Sequence, residues 1–230
     1  VTYYGHAAVK VQGPNGAVLI DPFLKENPEF AGDIEDIECD AIGVTHGHHD
    51  HMGDTVEIAE RTGCEVFCTY ELAGFLQGRG VKNVHPMHVG GSHRFDFGTV
   101  KLVPALHGGL VEGDTGKFTC TPCGIVLRID GYNIYHAGDT ALTVEMELLG
   151  RYDSIDVALL PIGDNFTMGP DDAVHAVEMI KPGKVIPMHY GTFPAIEQDP
   201  HAFGTMVEQA TGALCIVAAP GRTVTVKPPE

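Results

Sequence analysis

The feature that most constrains this chain is a short segment, VTHGHHDHMGD at residues 44–54, which carries four histidines and two aspartates in eleven positions. Imidazole nitrogens and carboxylate oxygens are the usual protein ligands of zinc and related divalent metals, and several must converge on each ion. His46 and His48 are two residues apart, so both point to the same side of an extended backbone. Asp50 and His51 are adjacent and point different ways, so they cannot easily serve one ion. The H-x-H-x-D-H spacing therefore predicts two metal ions side by side.

Further candidate ligands follow other apolar runs of the chain. His107 follows VKLVPAL, Asp139 follows NIYHAG and His189 follows KVIPM. Loops at strand ends are where a rigid sheet presents reactive side chains. We therefore expect these three residues to meet the histidine-rich segment at one edge of a sheet.

Strand-like and helix-like patterns alternate along the chain, and no long linker or low-complexity segment divides it. Twelve segments are predicted as strands: residues 1–5, 8–12, 17–21, 41–45, 65–69, 99–105, 124–129, 133–137, 157–162, 184–189, 214–218 and 223–227. Five segments are predicted as helices: residues 54–61, 71–77, 142–149, 170–180 and 200–210. Because the second half repeats the order of the first, two stacked sheets with helices outside would bury both faces of each sheet. The expected fold is a single α/β domain over residues 1–230, a four-layer αββα sandwich.

The histidine-rich motif and the later segments ALHGG, HAGDT and PMHYGTF, in this order, resemble the metallo-β-lactamase superfamily over nearly the whole chain. The resemblance implies an αββα sandwich with a metal site at the sheet edges. It implies that one ion is held by His46, His48 and His107. It implies that the other ion is held by Asp50, His51 and His189. Asp139 would bridge the two ions.

Within the superfamily, the segments YYGHA, IDPFL, IGDNFTMGPDDA and PMHYGTFP resemble ascorbate-6-phosphate lactonase and its uncharacterised metal-dependent hydrolase relatives. That branch commonly has serine after the third histidine, whereas Gly108 and Gly109 follow His107 here, so a substrate contact from those serines is not expected. The resemblance also brings His6 towards the site. Asp21, which follows the apolar run AVLI, is expected behind the ligands as an acceptor that orients a ligand imidazole.

The predicted chemistry is metal-dependent hydrolysis. Two divalent ions can share a water, lower its pKa and deliver hydroxide near neutral pH. The bridging hydroxide would cleave an ester-like bond in a lactone, a phosphodiester or a related small anionic substrate. Asp50 and Asp139 are the predicted catalytic residues. Zinc is the expected metal, with manganese, nickel or iron as alternatives that the ligand types also accept.

Formal charges at the centre favour the anionic substrate. Two divalent ions contribute +4, Asp50 and Asp139 contribute −2 and a hydroxide contributes −1, which leaves about +1 inside a chain of formal charge −17. Two other functions stay open on the same scaffold. One is an iron-dependent oxidoreductase, although the related diiron flavoproteins have glutamate where His48 stands here. The other is a phosphodiesterase that acts on small RNAs or nucleotides.

Composition limits the partners of the chain. Fourteen basic side chains against 31 acidic ones repel nucleic-acid polymers and anionic membranes. No apolar run approaches the ~18 residues that a membrane span needs. A cytoplasmic protein with a small-molecule substrate is expected, and the resemblance implies a homo-oligomer of unspecified size. The CTPC segment at residues 120–123 is expected to hold buried or loop cysteines in a reducing cytosol.

The remaining histidines are expected to be structural or surface residues: His49, His85, His88, His93, His136, His175 and His201. Loops that flank the ligand segments are expected to line the substrate pocket, namely residues 23–32, 108–121 and 166–170.

Overall fold

The computed structural model describes residues 1–113 and 116–226. Over these residues the strands form two seven-stranded mixed sheets and a two-stranded hairpin. The strands of sheet 1 are β1 (Thr2–Tyr3), β2 (Val9–Gly13), β3 (Gly16–Ile20), β4 (Ala41–Gly43), β5 (Glu65–Thr69), β6 (Val84–Met87) and β16 (Arg222–Thr223). The strands of sheet 2 are β7 (Ser92–Phe95), β8 (Gly98–Pro104), β11 (Cys123–Ile129), β12 (Tyr132–His136), β13 (Val157–Pro161), β14 (Lys184–Met188) and β15 (Leu214–Cys215). The hairpin consists of β9 (Leu110–Gly113) and β10 (Gly116–Thr119).

The helices of the described residues follow individual strands. They are α1 (His49–Met52), α2 (Thr55–Thr62), α3 (Tyr70–Gly78), α4 (Glu145–Tyr152), α5 (Pro170–Ile180) and α6 (Pro200–Ala210), with short 3₁₀ turns at Ile34–Asp36 and Pro194–Ile196. Local sequence explains several starts. For example, Asp199 precedes α6 and accepts hydrogen bonds from the backbone N–H groups of His201 and Ala202, at 2.9 and 3.1 Å, while Pro200 occupies a first-turn position where no donor is needed.

The two sheets pack face to face, and helices cover their outer faces. Strand β3 shows the alternation that this requires: Val18 and Ile20 lie in the cluster between the sheets, whereas Leu19 lies on the opposite face with Ile58 of α2 and Leu72 of α3. Helices α4, α5 and α6 cover the outer face of sheet 2 through residues such as Leu149, Val177 and Phe203. The predicted αββα sandwich is confirmed.

Strand directions bring the ligand-bearing segments to one edge of each sheet. In sheet 1, β3, β4 and β5 are parallel, and β1 runs with them because both β1 and β3 are antiparallel to β2. In sheet 2, β12, β13 and β14 are parallel, and β8 runs with them because both β8 and β12 are antiparallel to β11. The C-terminal ends of all these strands therefore lie at one edge of their sheet.

The structure adds elements that the hydrophobic pattern did not predict. Strands β6, β7, β9 and β10 were not predicted, because their short runs contain histidine, glycine or charged residues. Helix α4 begins at Glu145 rather than at residue 142. Of the predicted strand 223–227, the structure places only residue 223 in a strand, and residue 227 lies outside the described residues. Within residues 1–113 and 116–226, no helix combines the length and the apolar character needed to cross a bilayer.

Candidate metal centre

The histidine-rich segment leaves β4 and then turns into α1. His46 and His48 lie between β4 and α1, with His48 in an extended conformation at the start of the helix, and Asp50 and His51 lie on α1. Gly47 allows this path, because a Cβ at that position would overlap the Cγ2 atom of Val111 in β9. A glycine between the first two histidines therefore lets the segment pass under the hairpin.

The other three predicted ligands follow strands of sheet 2 at the same edge. His107 follows β8, Asp139 follows β12 and His189 follows β14 directly. Gly138 precedes Asp139 with a φ of 61°, and a Cβ there would lie 2.9 Å from the carbonyl oxygen of Cys123. This left-handed glycine turns the chain so that the Asp139 side chain faces the histidines.

The predicted ligands fall into two neighbouring groups, within each of which the candidate ligand atoms all lie within 4.8 Å of one another. The first group consists of His46, His48, His107 and Asp139. The second group consists of His6, Asp50, His51 and His189. All seven residues predicted as ligands are thus brought together, and the division between the groups follows the one that the resemblance implied. Asp50 and His51 lie in the same group, so the expectation that these adjacent residues cannot easily serve one ion is wrong: on α1 their ligand atoms converge on one place.

Asp139 lies between the two groups. Its Oδ2 atom is 3.3 Å from Nε2 of His107 in the first group and 3.2 Å from Nε2 of His189 in the second. Its Oδ1 atom is 3.1 Å from Nε2 of His51. Because one carboxylate faces ligand atoms of both groups, its position fits the predicted bridging role.

His6 contributes more than the sequence indicated. It was expected only near the site, but it belongs to the second group, and its Nε2 atom lies 3.0 Å from Oδ2 of Asp50. Its Nδ1 atom lies 3.0 Å from Oγ1 of Thr192. A ligand role for Nε2 requires the ring proton on Nδ1, where the Thr192 hydroxyl can accept it. The signal in the sequence was a single histidine between short strands, too weak to assign a ligand.

Asp21 lies behind the ligands, in contact with one of them. The fully buried carboxylate accepts hydrogen bonds from Nδ1 of His51 at 2.8 Å and from the backbone N–H and the hydroxyl of Thr45 at 2.8 and 2.7 Å. The Thr45 hydroxyl in turn lies 3.0 Å from Nδ1 of His46. One carboxylate therefore orients one histidine of each group.

The electrostatics of the centre suit metal ligation. Burial lowers the pKa of four candidate ligands, His6, His46, His48 and His107, and the pKa of His6 falls to about 4. The lowered pKa keeps these imidazoles neutral and their lone pairs available. Burial alone would raise the pKa of Asp139, but His51 and His189 outweigh burial and lower it. Burial would lower the pKa of His189, but the carboxylates of Asp139 and Asp50 together outweigh burial and raise it to about 9.

Several buried polar atoms at the centre have no hydrogen bond of acceptable geometry. They are Nε2 of His51, Oδ1 of Asp139 and both ring nitrogens of His189. A buried polar atom without a partner costs about 1–3 kcal/mol, so native proteins seldom leave one. Convergent imidazole nitrogens and carboxylate oxygens are the donors that zinc, iron and related divalent ions accept. The residues of both groups therefore fit a pair of divalent metal ions.

The histidines expected to be structural or at the surface lie outside both groups. His136 is fully buried, its Nε2 lies 2.9 Å from the Ala7 carbonyl, and its Nδ1 accepts from the Gly138 N–H at 3.2 Å. Both ring nitrogens of this neutral imidazole are satisfied, so it is a core residue. The buried Cys120 and Cys123 are free thiols and join neither group.

The predicted pocket segments are only partly loops. Of residues 108–121, most form the β9–β10 hairpin, and residues 114 and 115 lie outside the described residues. At Gly108 a Cβ would lie 3.6 Å from Cε1 of His48, an ordinary contact, so packing does not require glycine at this position. Residues 23–32 and 166–170 flank the second group and Asp139 respectively.

Comparisons with known proteins agree with this architecture. The family model described as the β-lactamase superfamily domain matches residues 17–190. A UPF0173 metal-dependent hydrolase of Bacillus cereus (strain B4264) is 50% identical over 215 residues, which cover 92% of this chain and 94% of that protein. The chain therefore belongs to the metallo-β-lactamase superfamily and, within it, to the UPF0173 group of metal-dependent hydrolases.

Two solved structures share the fold. Igni18, a metallo-hydrolase from the archaeon Ignicoccus hospitalis KIN4/I, superposes with a TM-score of 0.90 at 36% identity, covering 98% of this chain and 97% of its own. An isothiocyanate hydrolase from Delia radicum gut bacteria superposes with a TM-score of 0.77, at 19% identity and with 98% of each chain covered. At that lower identity the second likeness describes the fold alone.

Proposed function

We propose that this protein is a hydrolase that uses two divalent metal ions to cleave an ester-like bond. The observation that carries the proposal is the pair of four-residue groups that meet at Asp139. One group alone would fit a single structural or catalytic ion. Two groups with a shared carboxylate between them fit the two-metal arrangement of hydrolytic enzymes.

Two divalent ions bound there would supply Lewis acidity for the scissile bond and lower the pKa of a bound water towards neutrality. The protein supplies the rest. The neutral imidazoles of His6, His46, His48 and His107 provide lone pairs. Asp21 holds the ring of His51 by accepting from its Nδ1, and it holds the ring of His46 through the Thr45 hydroxyl, which donates to Asp21 and lies beside Nδ1 of His46. Such fixed positions keep the geometry from relaxing during the reaction.

The exposed members of the centre define the side from which substrate arrives. His46, His51, Asp139 and His189 are buried, whereas His48, Asp50 and His107 are partly exposed. Asp50 is the exposed carboxylate, with 28% of its side chain accessible. A carboxylate has two oxygens, so one can serve as a ligand while the other accepts the proton that the attacking water loses. We assign this proton-accepting role to Asp50 and the bridging role to Asp139.

The proposal is tested by metal analysis together with hydrolysis. Purified protein should hold two equivalents of a divalent transition metal, zinc foremost, by elemental analysis. It should hydrolyse at least one member of a panel of carboxylic esters, lactones, phosphodiesters and thioesters. Turnover should disappear with a chelator and return on adding back metal.

Two variants make the test specific. Asp139→Ala should abolish hydrolysis while the circular dichroism spectrum stays unchanged. Asp153→Ala removes another buried aspartate, which pairs with Lys101 and Arg128 rather than with the centre, and should retain turnover per folded molecule. Unchanged turnover in Asp139→Ala with verified metal content would refute the two-metal hydrolase. Oxygen uptake by an iron-loaded protein without any hydrolysis would favour the oxidoreductase instead.

A further inference from the structure

We propose that the substrate of this centre is an uncharged carboxylic ester or lactone that carries an apolar substituent, rather than a phosphate-bearing anion. This inference rests on the hydrolase function proposed above and specifies its substrate class. Three observations carry it: exposed apolar side chains on segments that carry or adjoin the ligands, the charges of the surrounding segments, and the formal charge of the centre itself.

Large apolar side chains lie exposed beside the ligands. Leu106, Phe166 and Phe193 are 64%, 57% and 37% exposed. Leu106 immediately precedes His107. Exposed apolar side chains on the segments around a reactive site are a surface that can bind an apolar group.

Backbone hydrogen bonds attach these side chains to the ligand segments. The N–H of Leu106 donates to Oγ1 of Thr140 at 3.0 Å, and the Leu106 carbonyl accepts from the N–H of Ala141 at 3.1 Å. The N–H of Met168, two residues after Phe166, donates to the carbonyl of Thr140 at 3.0 Å. Leu106 and the loop that bears Phe166 are therefore both fixed to the residue that follows Asp139.

Phe193 packs against the second ligand group. Its ring centroid lies 5.5 Å from that of His6 and 6.3 Å from that of Phe23. His6 in turn contacts Asp50, the exposed carboxylate. An aryl or alkyl group of a substrate bound over Asp50 would thus meet the exposed part of Phe193.

The segments that deliver and flank the ligands carry little positive charge. These segments are residues 4–8, 21–30, 44–54, 105–111, 137–144, 161–169 and 188–197. Together they contain one basic residue, Lys25, whose ammonium group binds the Glu57 carboxylate at 2.5 Å. Strand β10, in the segment 108–121 that was expected to line the pocket, adds Lys117. The segments themselves also contain eight acidic residues: Asp21, Glu26, Glu29, Asp50, Asp54, Asp139, Asp164 and Glu197. Phosphate recognition normally uses Arg, Lys or a cluster of N–H donors, so these segments disfavour a phosphorylated substrate.

The structure also changes the charge of the centre. Counting Asp50 and Asp139 alone left about one surplus positive charge after a hydroxide was included. Asp21 adds a third carboxylate, 2.8 Å from Nδ1 of His51, so two divalent ions are offset by three carboxylates and one hydroxide, about zero in total. With Asp21 included in the count, the centre has no surplus positive charge, and a neutral centre gives no long-range attraction for an anion in a chain of formal charge −17.

The reaction balances without any further reagent. The oxygen of water bonds to the acyl carbon, the bond from that carbon to the alkoxy oxygen breaks, and the alkoxy oxygen takes up a proton. The acid that forms ionises at neutral pH and releases one proton per turnover. A pH-stat therefore follows any ester or lactone without a chromophore.

The experiment compares neutral and phosphate-bearing compounds on the metal-loaded protein. Activity is measured with an aryl-substituted γ-lactone, an aryl alkanoate ester and bis(4-nitrophenyl) phosphate. Binding is measured by calorimetry with a hydrolysis-resistant neutral ketone, 4-phenyl-2-butanone, and with phenyl phosphate. We expect turnover of the neutral esters at kcat/KM at least tenfold above that of the phosphodiester. We expect the ketone to bind, and phenyl phosphate to bind no tighter than inorganic phosphate.

Variants connect the preference to the apolar side chains. Phe193→Ala and Phe166→Ala should each weaken ketone binding by about tenfold, the loss typical of one well-placed apolar contact. Tyr152→Ala is the matched control, because Tyr152 is 71% exposed on α4 and lies at the C-terminal end of that helix, away from the ligand segments. Phe166 is more exposed than Phe193, so its variant keeps the test valid if Phe193→Ala folds poorly.

Specific results would overturn the inference. The inference fails if turnover is confined to the phosphodiester. It also fails if ketone binding is unchanged in all three variants, Phe193→Ala, Phe166→Ala and Tyr152→Ala. Phosphate binding that Lys117→Met abolishes would also overturn it, because Lys117 of β10 would then be a phosphate-recognising cation. In the first of these cases the proposed hydrolase function would stand. It would fail separately if a protein with two bound ions hydrolysed no ester of either kind.

Discussion

Asp21→Asn should weaken both metal sites at once, although Asp21 belongs to neither ligand group. Its Oδ2 atom accepts from Nδ1 of His51 at 2.8 Å and from the Thr45 hydroxyl at 2.7 Å. Because the Thr45 hydroxyl donates to Asp21, its oxygen can accept the Nδ1 proton of His46, 3.0 Å away. Both histidines then carry their proton on Nδ1 and present Nε2 to a metal ion.

The asparagine amide reverses this arrangement. Its carbonyl can still accept from the backbone N–H of Thr45, which now donates to Asp21 Oδ1 at 2.8 Å. Its NH₂ group, however, would face two donors, Nδ1–H of His51 and the Thr45 hydroxyl. His51 can resolve the conflict only by moving its proton to Nε2, the atom that faces Asp139. The backbone tolerates the change, since Asp21 has a φ of 47° and asparagine adopts left-handed backbone readily.

The expected magnitude follows from these contacts. Loss of a hydrogen-bond partner behind a metal ligand typically lowers metal affinity by about 10–100-fold, which is about 1.4–2.7 kcal/mol for each ion. In the metal-free protein Asp21 and His51 form a fully buried ion pair, and removal of one partner of such a pair costs about 3–5 kcal/mol. Asp21→Asn should therefore lower both the metal affinity and the stability of the metal-free protein.

Chelator competition with a chromophoric indicator measures both affinities, and urea unfolding of the metal-free protein measures stability. Asp153→Asn is the matched control, because Asp153 is also a buried carboxylate and binds Lys101 and Arg128. This control should lose stability while both metal affinities stay within about twofold of the original. Equal metal affinities in Asp21→Asn and Asp153→Asn would refute the orienting role of Asp21.

Three further outcomes are expected. Asp139→Ala should reduce the metal content from two equivalents to one or none, which elemental analysis of dialysed protein checks. The His189 pKa of about 9 exceeds its ordinary value of 6.5. In the metal-free protein, the stabilising contribution of the charged His189 is therefore complete below pH 6.5 and is lost as the pH rises through 9. The melting temperature of the metal-free protein should fall between these pH values, and the melting temperature of the metal-loaded protein should not. Gly109→Ala would place a Cβ onto the Cys120 carbonyl and should cost about 1–3 kcal/mol in urea unfolding, whereas Gly74→Ala, with open space around it in α3, should stabilise the protein by about 0.5–1 kcal/mol.

The hydrophobic pattern of the sequence was sufficient to predict the buried strands and most of the helices. Strands such as β13, whose five residues are all buried, are continuous apolar runs that only a doubly covered sheet explains. Strands β7 and β10 could not be predicted in this way, because exposed edge and hairpin strands obtain their stability from backbone pairing with a neighbour. Their sequences SHRF and GKFT carry no alternation that distinguishes them from loops.

The sequence predicted those metal ligands that directly follow an apolar, strand-like run. His107, Asp139 and His189 do so, and parallel strand directions then bring them to one edge. His6 follows a strand of only two residues. Its place among the ligands depends on the pairing of β1 with β2, and the local sequence around His6 does not reveal that pairing. The sequence predicted Asp21 as an acceptor behind a ligand imidazole, but only the fold shows that this imidazole belongs to His51.

The backbone at the centre is held in an unusual conformation at three non-glycine positions, and the contacts there explain how it persists. His6, Asp21 and His189 have φ values of 55°, 47° and 55°, a region in which side chains other than glycine cost about 1–3 kcal/mol. The N–H of His189 donates to the carbonyl of His6 at 2.7 Å, and the hydroxyl of buried Tyr3 donates to the same carbonyl at 3.1 Å. Because two strands from different sheets are tied together at these residues, neither turn can relax without moving the other, and the ligand rings keep their positions even where no ion compensates the charges between them.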